Sequence, residues 1–279
     1  MKPDLVPLPP LLRLLRRAEF RGKLRVMDRL FGRGLTRHGT AWVETHPGIP
    51  WELDLTNPTH RWIVYGYYEG RAFWRWLLLN RTRLHTVVDS GANIGQTTLY
   101  FVRLLDDAHV YAYEPGTAAR AWLTRGIERN RLTNVTVSPA GLAAAPGQAF
   151  LKPVGGEDLH GSWNRLDESE GEAIPLVTID GEMARLGLDR IDLWKLDMEG
   201  GEPGAIAGAA QALAAGRISA IHAEILGESG PGVGRTLESY GYRPYVARRD
   251  RLVPASGPLA REGDNALFLH PNSGLIPPA

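Results

Sequence analysis

The stretch Val87-Val88-Asp89-Ser90-Gly91-Ala92-Asn93-Ile94-Gly95-Gln96-Thr97-Thr98-Leu99 decides the fold. An apolar run ends in an acid and small residues and then opens into a helical pattern, which predicts a strand, a tight turn and a helix start. Glycine at 91 and 95 lets the backbone approach a ligand, and free N–H groups at a helix N-terminus favour a hydrogen-bond acceptor. We expect Asp89 to point into the same crevice. A turn that needs positive φ would also select glycine, so the loop alone does not establish a binding site.

A second acid strengthens the prediction of a binding site. Val110-Tyr111-Ala112-Tyr113 resembles another strand and ends in Glu114, near the spacing of about 20 residues at which an acid reaches ribose hydroxyls. The pattern Asp-x-Gly-x-x-x-Gly lacks the glycine spacing that brings backbone against a pyrophosphate, and no Gly-Lys-Ser/Thr triplet marks a triphosphate site. S-adenosylmethionine fits better because it carries no phosphate. We expect Asp89 to meet its ammonium group and Glu114 its ribose.

Three motifs together carry a resemblance to a known family. They are Val87 to Phe101, Tyr111 to Pro115, and Ile191 to Glu202, the last containing Lys-x-Asp-x-Glu-Gly-x-Glu. Over about residues 40 to 272 the chain resembles the FkbM family of class I S-adenosylmethionine-dependent methyltransferases. The resemblance implies O-methyl transfer to a hydroxyl of a sugar, glycan or secondary metabolite. Ser90, Trp194 and Gly201 depart from the family pattern, and we expect them to reshape the acceptor pocket.

The order of elements predicts an α/β fold with a doubly wound, mostly parallel seven-stranded sheet. Strands are predicted near 85–89, 109–113, 134–138, 191–197 and 218–225, with an antiparallel pair near 242–247 and 265–270. Helices are predicted near 95–105, 116–130, 180–187 and 203–215. The predicted organisation is a basic helical region at 1–38, an aromatic-rich cap at 39–83 and a methyltransferase domain at 84–279. The predicted cofactor-binding residues are Asp89, Gly91, Asn93, Gly95, Thr97, Glu114, Ala140 and Asp197.

Composition narrows the class of protein. The 279 residues are 43% hydrophobic, enough for one main domain with a sizeable core. A net charge of +1 gives no whole-protein case for a nucleic-acid partner. The absence of cysteine excludes disulfides and thiolate-bound zinc. No apolar run approaches the length of a membrane span, and no signal-peptide pattern opens the chain, so we expect a soluble cytoplasmic protein.

The first 38 residues form an amphipathic helical pattern. Apolar residues recur at spacings of three and four, with a break predicted at Gly22 and an end at Gly32-Arg33-Gly34. The other side is basic and carries Arg13, Arg16, Arg17, Arg21, Arg25 and Arg29. This side can be a solvated face on a helix that packs on the domain or on a second subunit, which leaves a homodimer open. It can also lie on an anionic membrane surface or meet a lipid-linked substrate.

Two segments are candidates for the acceptor site. A predicted hairpin at 40–55 leads into a helical region rich in aromatic residues, of which Tyr65 and Tyr68 are expected to reach the crevice by analogy with the family. The stretch 146–175 is predicted to be a long loop, and long loops in compact domains are often functional. Its His160, Ser162 and Trp163 can form the roof of the acceptor site, although a lone histidine in a loop is equally often solvent-exposed.

The chemistry is predicted beside Lys195, Asp197 and Glu199, because alternate residues at the carboxyl end of a strand point to one side. His222 and Glu224 end the next strand. In one hypothesis, Asp197 or Glu199 takes the proton of the acceptor hydroxyl, and Lys195 orients that hydroxyl. In another, Glu224 and His222 take this role. Alternatively, these polar residues bind the cofactor or cap the helix at 203.

Two further questions stay open from the sequence. Asp197, Glu199 and Glu224 can alternatively hold Mg²⁺, although no metal site is predicted. A nicotinamide-dependent oxidoreductase and a non-catalytic cofactor- or glycan-binding protein are the alternative functions.

Overall fold

The computed structural model describes residues 5–18, 20–46, 48–67, 70–153, 164–167, 169–225, 230–257, 259 and 265–278. The N-terminal part contains β1 (Leu5–Val6), α1 (Pro10–Leu15), α2 (Lys23–Met27), a π-helical turn (Asp28–Gly32), α3 (Arg33–Thr36), β2 (Thr40–His46), β3 (Ile49–Asp54), α4 (Pro58–Val64) and α5 (Arg71–Leu79). Strand β2 pairs antiparallel with β3, which confirms the predicted hairpin, and parallel with β1.

The rest of the chain alternates strands and helices. In order they are β4 (Thr86–Ser90), α6 (Gln96–Leu104), β5 (His109–Tyr113), α7 (Thr117–Asn130), β6 (Val135–Ser138), β7 (Gly141–Leu142), β8 (Gly147–Pro153), β9 (Asn164–Asp167), β10 (Glu172–Val177), α8 (Ile179–Leu186), β11 (Ile191–Leu196), α9 (Glu202–Ala207), α10 (Ala210–Ala214), β12 (Ile218–Glu224), α11 (Gly230–Ser239), β13 (Arg243–Arg248), β14 (Arg251–Pro254) and β15 (Asn265–Leu269). The main sheet has the order β14-β13-β15-β12-β11-β4-β5-β6. Strands β12, β11, β4, β5 and β6 are parallel, so the predicted α/β class is confirmed.

The main sheet has eight strands rather than the predicted seven. The additional strand is β14, which pairs antiparallel with β13 after a turn at Arg249, a residue with a φ of 59°. The predicted helix at 203–215 is two helices, α9 and α10. They are separated at Gly208, where an added Cβ would lie 2.1 Å from the carbonyl oxygen of Ala143.

The predicted loop at 146–175 contains strands where the structure describes it. Strand β8 pairs antiparallel with β10 and β9, and β10 pairs parallel with β7, which gives a second sheet of four strands. Leu151 and Ile174 are buried there. The prediction was wrong because glycine and proline at the ends of these strands were interpreted as a continuous loop, whereas the alternating apolar residues between them pair across the sheet.

The N-terminal helical region differs from its prediction at two points. Gly22 does begin a new helix, as expected, with a φ of 77°. However, Gly32 lies inside a continuous helical path from Lys23 to Thr36 and does not end it. An added Cβ at Gly32 would lie 2.9 Å from the Asp28 carboxylate, so this glycine makes room for a side chain within the helix. Arg16, predicted on the basic outer side, is buried.

Helices cover both faces of the main sheet. Helices α5 and α6 cover one face, where Phe73 and Phe101 pack on Val87 and Leu193. Helices α8 to α11 cover the other face, which is centred on Trp194. The N-terminal elements pack their own apolar cluster against Leu99 and Tyr100 of α6. No helix in the described ranges is long and apolar enough to cross a membrane.

Candidate functional site

The glycine loop after β4 packs tightly against neighbouring elements of the protein, while the contact of Gly91 and Gly95 with the cofactor stays a prediction. Gly91 has a φ of +71°, and an added Cβ would lie 1.8 Å from the carbonyl oxygen of Asp197. Gly95 has a φ of +94°, and its added Cβ would lie 2.6 Å from Leu123 of α7. Both glycines are therefore required by positive φ and by close packing. Their effect on the site is to bring the loop against the end of β11.

Asp89 lies beneath the crevice instead of opening into it as predicted. Its side chain is 0% exposed, and Oδ2 accepts a hydrogen bond of 2.6 Å from the Thr98 hydroxyl. Oδ1 lies 3.9 Å from Lys195 Nζ and has no hydrogen-bond partner among the described residues. Burial raises the pKa of Asp89, while Lys195 and Thr98 act in the opposite direction. The carboxylate therefore positions Lys195 and the first turn of α6.

Thr98 is a site residue that the sequence analysis missed in favour of its neighbour Thr97. Helix α6 begins at Gln96, which turns the Thr98 side chain back toward β4, where it is fully buried. A hydroxyl in the first turn of a helix that follows an acidic strand end was the available signal. Thr97 stays a prediction.

Glu114, at the end of β5, fastens the glycine loop to the second strand. Its Oε2 accepts from the Asn93 N–H and its Oε1 from the Gly116 N–H, both at 2.8 Å. Asn93 adopts a φ of 50°, which asparagine tolerates better than most residues. Burial raises the pKa of Glu114, and the two N–H donors oppose the rise. Each oxygen keeps a lone pair for a ribose hydroxyl. Ala140 is buried just after β6, and its contact with an adenine stays a prediction.

A row of polar side chains crosses three strands at the carboxyl edge of the sheet. Lys195 is the register partner of Asp89 on β4 and of His222 on β12, so the three lie on the face covered by α5 and α6. Lys195 Nζ donates to Asp197 Oδ2 at 2.8 Å. Burial would lower the pKa of Lys195, but Asp197 and Asp89 outweigh it and raise the value. The lysine is therefore a permanent cation in this row.

His222 is held as a neutral ring. It stacks on Phe73 with ring centroids 3.8 Å apart and an interplanar angle of 18°. Burial and the Lys195 charge lower the pKa of His222 to about 3, against a smaller opposing effect of Asp197. The imidazole therefore carries no charge at neutral pH and can only donate or accept a hydrogen bond.

The carboxylates at the edge differ in their proton affinity. Asp197 is only partly buried, which tends to raise its pKa, but Lys195 holds that pKa below the usual value. Glu224 is half-buried, and burial together with the charges of Asp197, Glu199 and Glu202 raises its pKa to about 7. Burial, Asp197 and Glu202 also raise the pKa of Glu199. The edge therefore carries more negative charge than Lys195 alone can balance.

Glu202 has a structural task at this edge. Its carboxylate accepts from the N–H of Met198 at 2.7 Å and from the N–H of Gly200 at 3.1 Å, and the side chain is almost fully buried. It fixes the turn between β11 and α9 in the way a helix cap does. Among the described residues, no three acidic or histidine side chains converge as a metal site. The alternative that Asp197, Glu199 and Glu224 hold Mg²⁺ stays a prediction.

The predicted acceptor residues are mostly outside the described part of the chain. Tyr68, His160, Ser162 and Trp163 lie outside the described residues and stay predictions. Tyr65 does not reach the crevice as expected. It is 0% exposed in the N-terminal cluster, and its hydroxyl donates to Asp28 Oδ1 at 3.0 Å. The analogy failed because a buried tyrosine hydroxyl needs an acceptor, and Asp28 supplies one from the π-helical turn.

Two of the residues that depart from the family pattern, Ser90 and Trp194, form a pair on the opposite face of the sheet. Trp194 Nε1 donates to Ser90 Oγ at 2.7 Å, and both side chains are fully buried. Trp194 belongs to the core under α8 to α11, so these two residues do not reshape the acceptor pocket as we expected. An added Cβ at the third departure, Gly201, would lie 2.8 Å from Met198 Cε, the flexible end of a side chain.

The edge suits a cationic ligand that carries an adenosyl group. S-adenosylmethionine has a sulfonium and an ammonium group, and either would relieve the repulsion that raises the pKa of Glu224 and Glu199. Glu114 keeps acceptor capacity at the end of the neighbouring strand. The side chain of Asp197 is 45% exposed, so it is accessible to such a ligand. The donor set therefore fits this cofactor.

The chain is similar to several known methyltransferases. The methyltransferase sdnD of Sordaria araneosa is 31% identical over 150 residues, which cover 42% of this chain and 57% of that protein. The aligned part thus spans little more than half of that relative. A SAM-dependent O-methyltransferase from Thermotoga maritima shares 13% identity with a TM-score of 0.40, covering 73% of this chain and 65% of that chain. The precorrin-6y C5,15-methyltransferase from Geobacter metallireducens shares 12% identity with a TM-score of 0.38, covering 70% and 83%.

The family assignment rests on a match to the sequence profile of one domain. The profile described as Methyltransferase FkbM domain matches residues 89–244, more than half of the chain. The matched segment includes Asp89, Glu114, Lys195 and Glu224, which the fold gathers at one edge of the sheet. The chain therefore belongs to the FkbM methyltransferase family.

Proposed function

We propose that the protein transfers a methyl group to a hydroxyl oxygen of a sugar, glycan or secondary metabolite, with Glu224 as the general base. The observation that carries this proposal is the pKa of Glu224, raised to about 7 by burial and by three neighbouring carboxylates. A base is most effective when its pKa lies near the working pH, because it is then available and still basic enough to take a proton.

Asp197 suits a different role. Lys195 donates a hydrogen bond to it and keeps its pKa low, which makes it a weak base but a permanent negative charge. Asp197 and Glu224 follow Leu196 and Ala223, which are register partners on the parallel strands β11 and β12, so both acids lie at the same edge of the sheet. We therefore assign Asp197 to holding the positive charge of the cofactor, with Lys195 and the buried Asp89 as positioning residues behind it.

The proton balance of the step is simple. When bound, S-adenosylmethionine supplies an electrophilic methyl group on a positively charged sulfur. Glu224 would take the proton from the acceptor hydroxyl as the oxygen bonds to the methyl carbon. The bond from that carbon to sulfur would break, its electron pair would stay on sulfur, and neutral S-adenosylhomocysteine would leave. The carboxylic acid would later return the proton to solvent. Neutral His222, stacked on Phe73, provides a fixed wall with hydrogen-bonding capacity. Holding two reactants in a near-attack geometry can contribute about 7–11 kcal/mol to a bimolecular step.

The first experiment tests the cofactor site without an acceptor. Isothermal titration with S-adenosylhomocysteine should show binding to the wild-type protein and an affinity about 10–100-fold weaker for Glu114→Gln, because one charge-assisted acceptor for ribose is lost. Glu128→Gln is the matched control, since Glu128 is an exposed residue on α7. Equal affinity of Glu114→Gln and wild type would remove Glu114 from the cofactor site.

The second experiment tests the general base. A panel of sugars, glycans and hydroxylated metabolites is assayed with radiolabelled S-adenosylmethionine, and the pH profile is measured on the best acceptor. We expect kcat/KM to rise with pH up to about 7 and then level off. Glu224→Gln should lower kcat by about 10²–10⁴-fold and abolish this acidic limb.

His222→Gln is the control for the shape of the profile. Its acidic limb should stay in place, because the pKa of His222 is already lowered to about 3. If the acidic limb of the pH profile persists in Glu224→Gln, another residue is the general base. Binding of S-adenosylhomocysteine with no transfer to any hydroxyl, but transfer to a nitrogen or carbon acceptor, would overturn the O-methyl assignment.

A further inference from the structure

The N-terminal helices concentrate positive charge in a chain that is otherwise balanced. Between positions 10 and 38 lie nine arginine and lysine residues and two acidic residues, whereas the net charge of the whole chain is +1. None of the residues assigned above to the methyltransferase site belongs to this segment. The charge of the segment therefore calls for an explanation separate from the reaction.

Two of the basic residues serve the fold and fix which side of the helices faces outward. Arg16 is buried and donates to the carbonyl oxygens of Val64 and Thr45, each at 3.0 Å. Lys23 is also buried and donates to the carbonyl oxygens of Arg16 at 2.9 Å and Gly66 at 3.3 Å. The inward side also carries fully buried apolar residues, namely Leu12, Met27 and Leu35. The helices are thus anchored in one orientation.

The outward side of the path from α2 to α3 combines arginine with exposed aliphatic residues. Its arginines recur every four residues and are all exposed: Arg25, Arg29, Arg33 and Arg37. Val26 and Leu30 lie beside them, 42% and 56% exposed. Within the described ranges, no ion pair joins any of these arginines to an acid. We call these six residues the basic-aliphatic face.

Helix α1 repeats the combination. Leu11 and Leu14 are exposed, the latter by 67%, and Arg13 and Arg17 are exposed beside them. Of the nine large hydrophobic side chains exposed in the described residues, five belong to positions 5–30. Leaving them in water costs hydrophobic free energy that a partner with an apolar layer would recover.

We propose that the basic-aliphatic face docks the enzyme onto the surface of an anionic lipid bilayer. Arginine guanidinium groups pair with lipid phosphates, and the aliphatic side chains enter the layer just below the headgroups. Both halves of the face are then satisfied at once. A nucleic acid would neutralise the arginines but would leave Val26 and Leu30 in water, because its backbone offers no apolar layer.

The test uses the full chain and vesicle flotation. Vesicles of phosphatidylglycerol mixed with phosphatidylcholine should carry the protein upward, and vesicles of phosphatidylcholine alone should not. The variant Arg25→Gln/Arg29→Gln/Arg33→Gln should bind the mixed vesicles about 100-fold more weakly. The variant Val26→Asn/Leu30→Gln, which keeps every charge, should bind about tenfold more weakly or worse.

A matched control removes the same charge from another surface. Arg243→Gln/Arg248→Gln/Arg251→Gln changes three exposed arginines on β13 and β14 and should bind vesicles as the wild type does. Unchanged circular dichroism and unchanged binding of S-adenosylhomocysteine verify that each variant is folded.

Four results would overturn the proposal. They are the absence of flotation with mixed vesicles, equal flotation with neutral vesicles, a control variant that loses as much binding as the first variant, and full binding by Val26→Asn/Leu30→Gln. The last result, combined with tight binding to a random RNA, would identify a polyanion partner instead. None of these outcomes bears on the methyl-transfer assay, so the two proposals fail independently.

Discussion

The two faces of strands β4 and β11 use neighbouring residues of the same chain for opposite purposes. On the face under α5 and α6, Asp89 and Lys195 place a buried carboxylate 3.9 Å from a buried ammonium. On the other face, Ser90 and Trp194 form a neutral hydrogen bond of 2.7 Å inside an apolar core. The neutral pair is fully satisfied, whereas one oxygen of Asp89 has no hydrogen bond in the described part of the chain.

The charged face carries the candidate site, whereas the neutral face belongs to the hydrophobic core. Charged groups that are buried and incompletely bonded respond strongly to a ligand or a proton, because the low dielectric around them amplifies each change. A satisfied neutral pair responds to neither. Side chains alternate along a strand, so neighbouring residues point to opposite faces of the sheet. A shift of one residue therefore decides whether a side chain lies on the charged face or on the neutral face.

The largest effect should come from removing the cation of the charged face. Lys195→Met leaves Asp89 buried beside no positive charge, and breaking a buried pair in this way typically costs about 3–5 kcal/mol. We expect a loss of that size in the free energy of unfolding, measured with urea at pH 7. Lys152→Met is the control, because Lys152 pairs with Glu170 in an exposed ion pair, and it should cost less than about 1 kcal/mol.

A second substitution tests the cause of that loss. Asp89→Asn in the Lys195→Met background removes the isolated charge and should recover a large part of the stability. If Lys195→Met alone costs no more than Lys152→Met, Asp89 already holds a proton in the wild type, as its raised pKa allows. The charged face would then be less charged than its residue types indicate.

A smaller effect is expected on the neutral face. Ser90→Ala removes the acceptor for the buried indole N–H of Trp194, and leaving such a donor unpaired costs about 1–3 kcal/mol. Thermal unfolding should show the loss, while the affinity for S-adenosylhomocysteine should stay unchanged. The double variant Ser90→Ala/Trp194→Phe should regain stability. Weaker cofactor binding by Ser90→Ala would mean that the two faces are coupled after all.

The smallest effect has the opposite sign. The pKa of Glu224 is raised from 4.5 to about 7, so between these pH values the folded protein binds more protons than the unfolded chain. Stability contributed by the protonated form is then present below pH 4.5 and is lost as the pH rises through 7. Glu224→Gln should therefore stabilise the protein at pH 8 by about 1–2 kcal/mol, although it should lower activity.

Urea titrations of both proteins at pH 4.5 and pH 8 measure this difference. The gain should be present at pH 8 and absent at pH 4.5. A gain of the same size at both values would trace it to packing rather than to the carboxylate charge.

The strands and helices whose sequence patterns are local were predicted correctly. The strands β4, β5 and β11 and the helices between them were predicted to within a residue or two, because their apolar runs and glycine turns are contiguous. The sequence analysis missed β8 to β10 and β14, whose pairing partners lie elsewhere in the chain. Arg16 was predicted to face solvent, because its hydrogen-bond acceptors, the carbonyl oxygens of Val64 and Thr45, lie far from it in the sequence.

The sequence by itself determined the family and the set of acids that stand at the carboxyl ends of the strands, since these depend on short motifs in a fixed order. The tertiary structure alone decided how strongly each acid holds a proton. Asp89 is sealed beneath Lys195, Asp197 is held ionised, and Glu224 is left with a raised pKa. The physical reason is that proton affinity depends on burial and on neighbouring charges, which come from strands far apart in the chain.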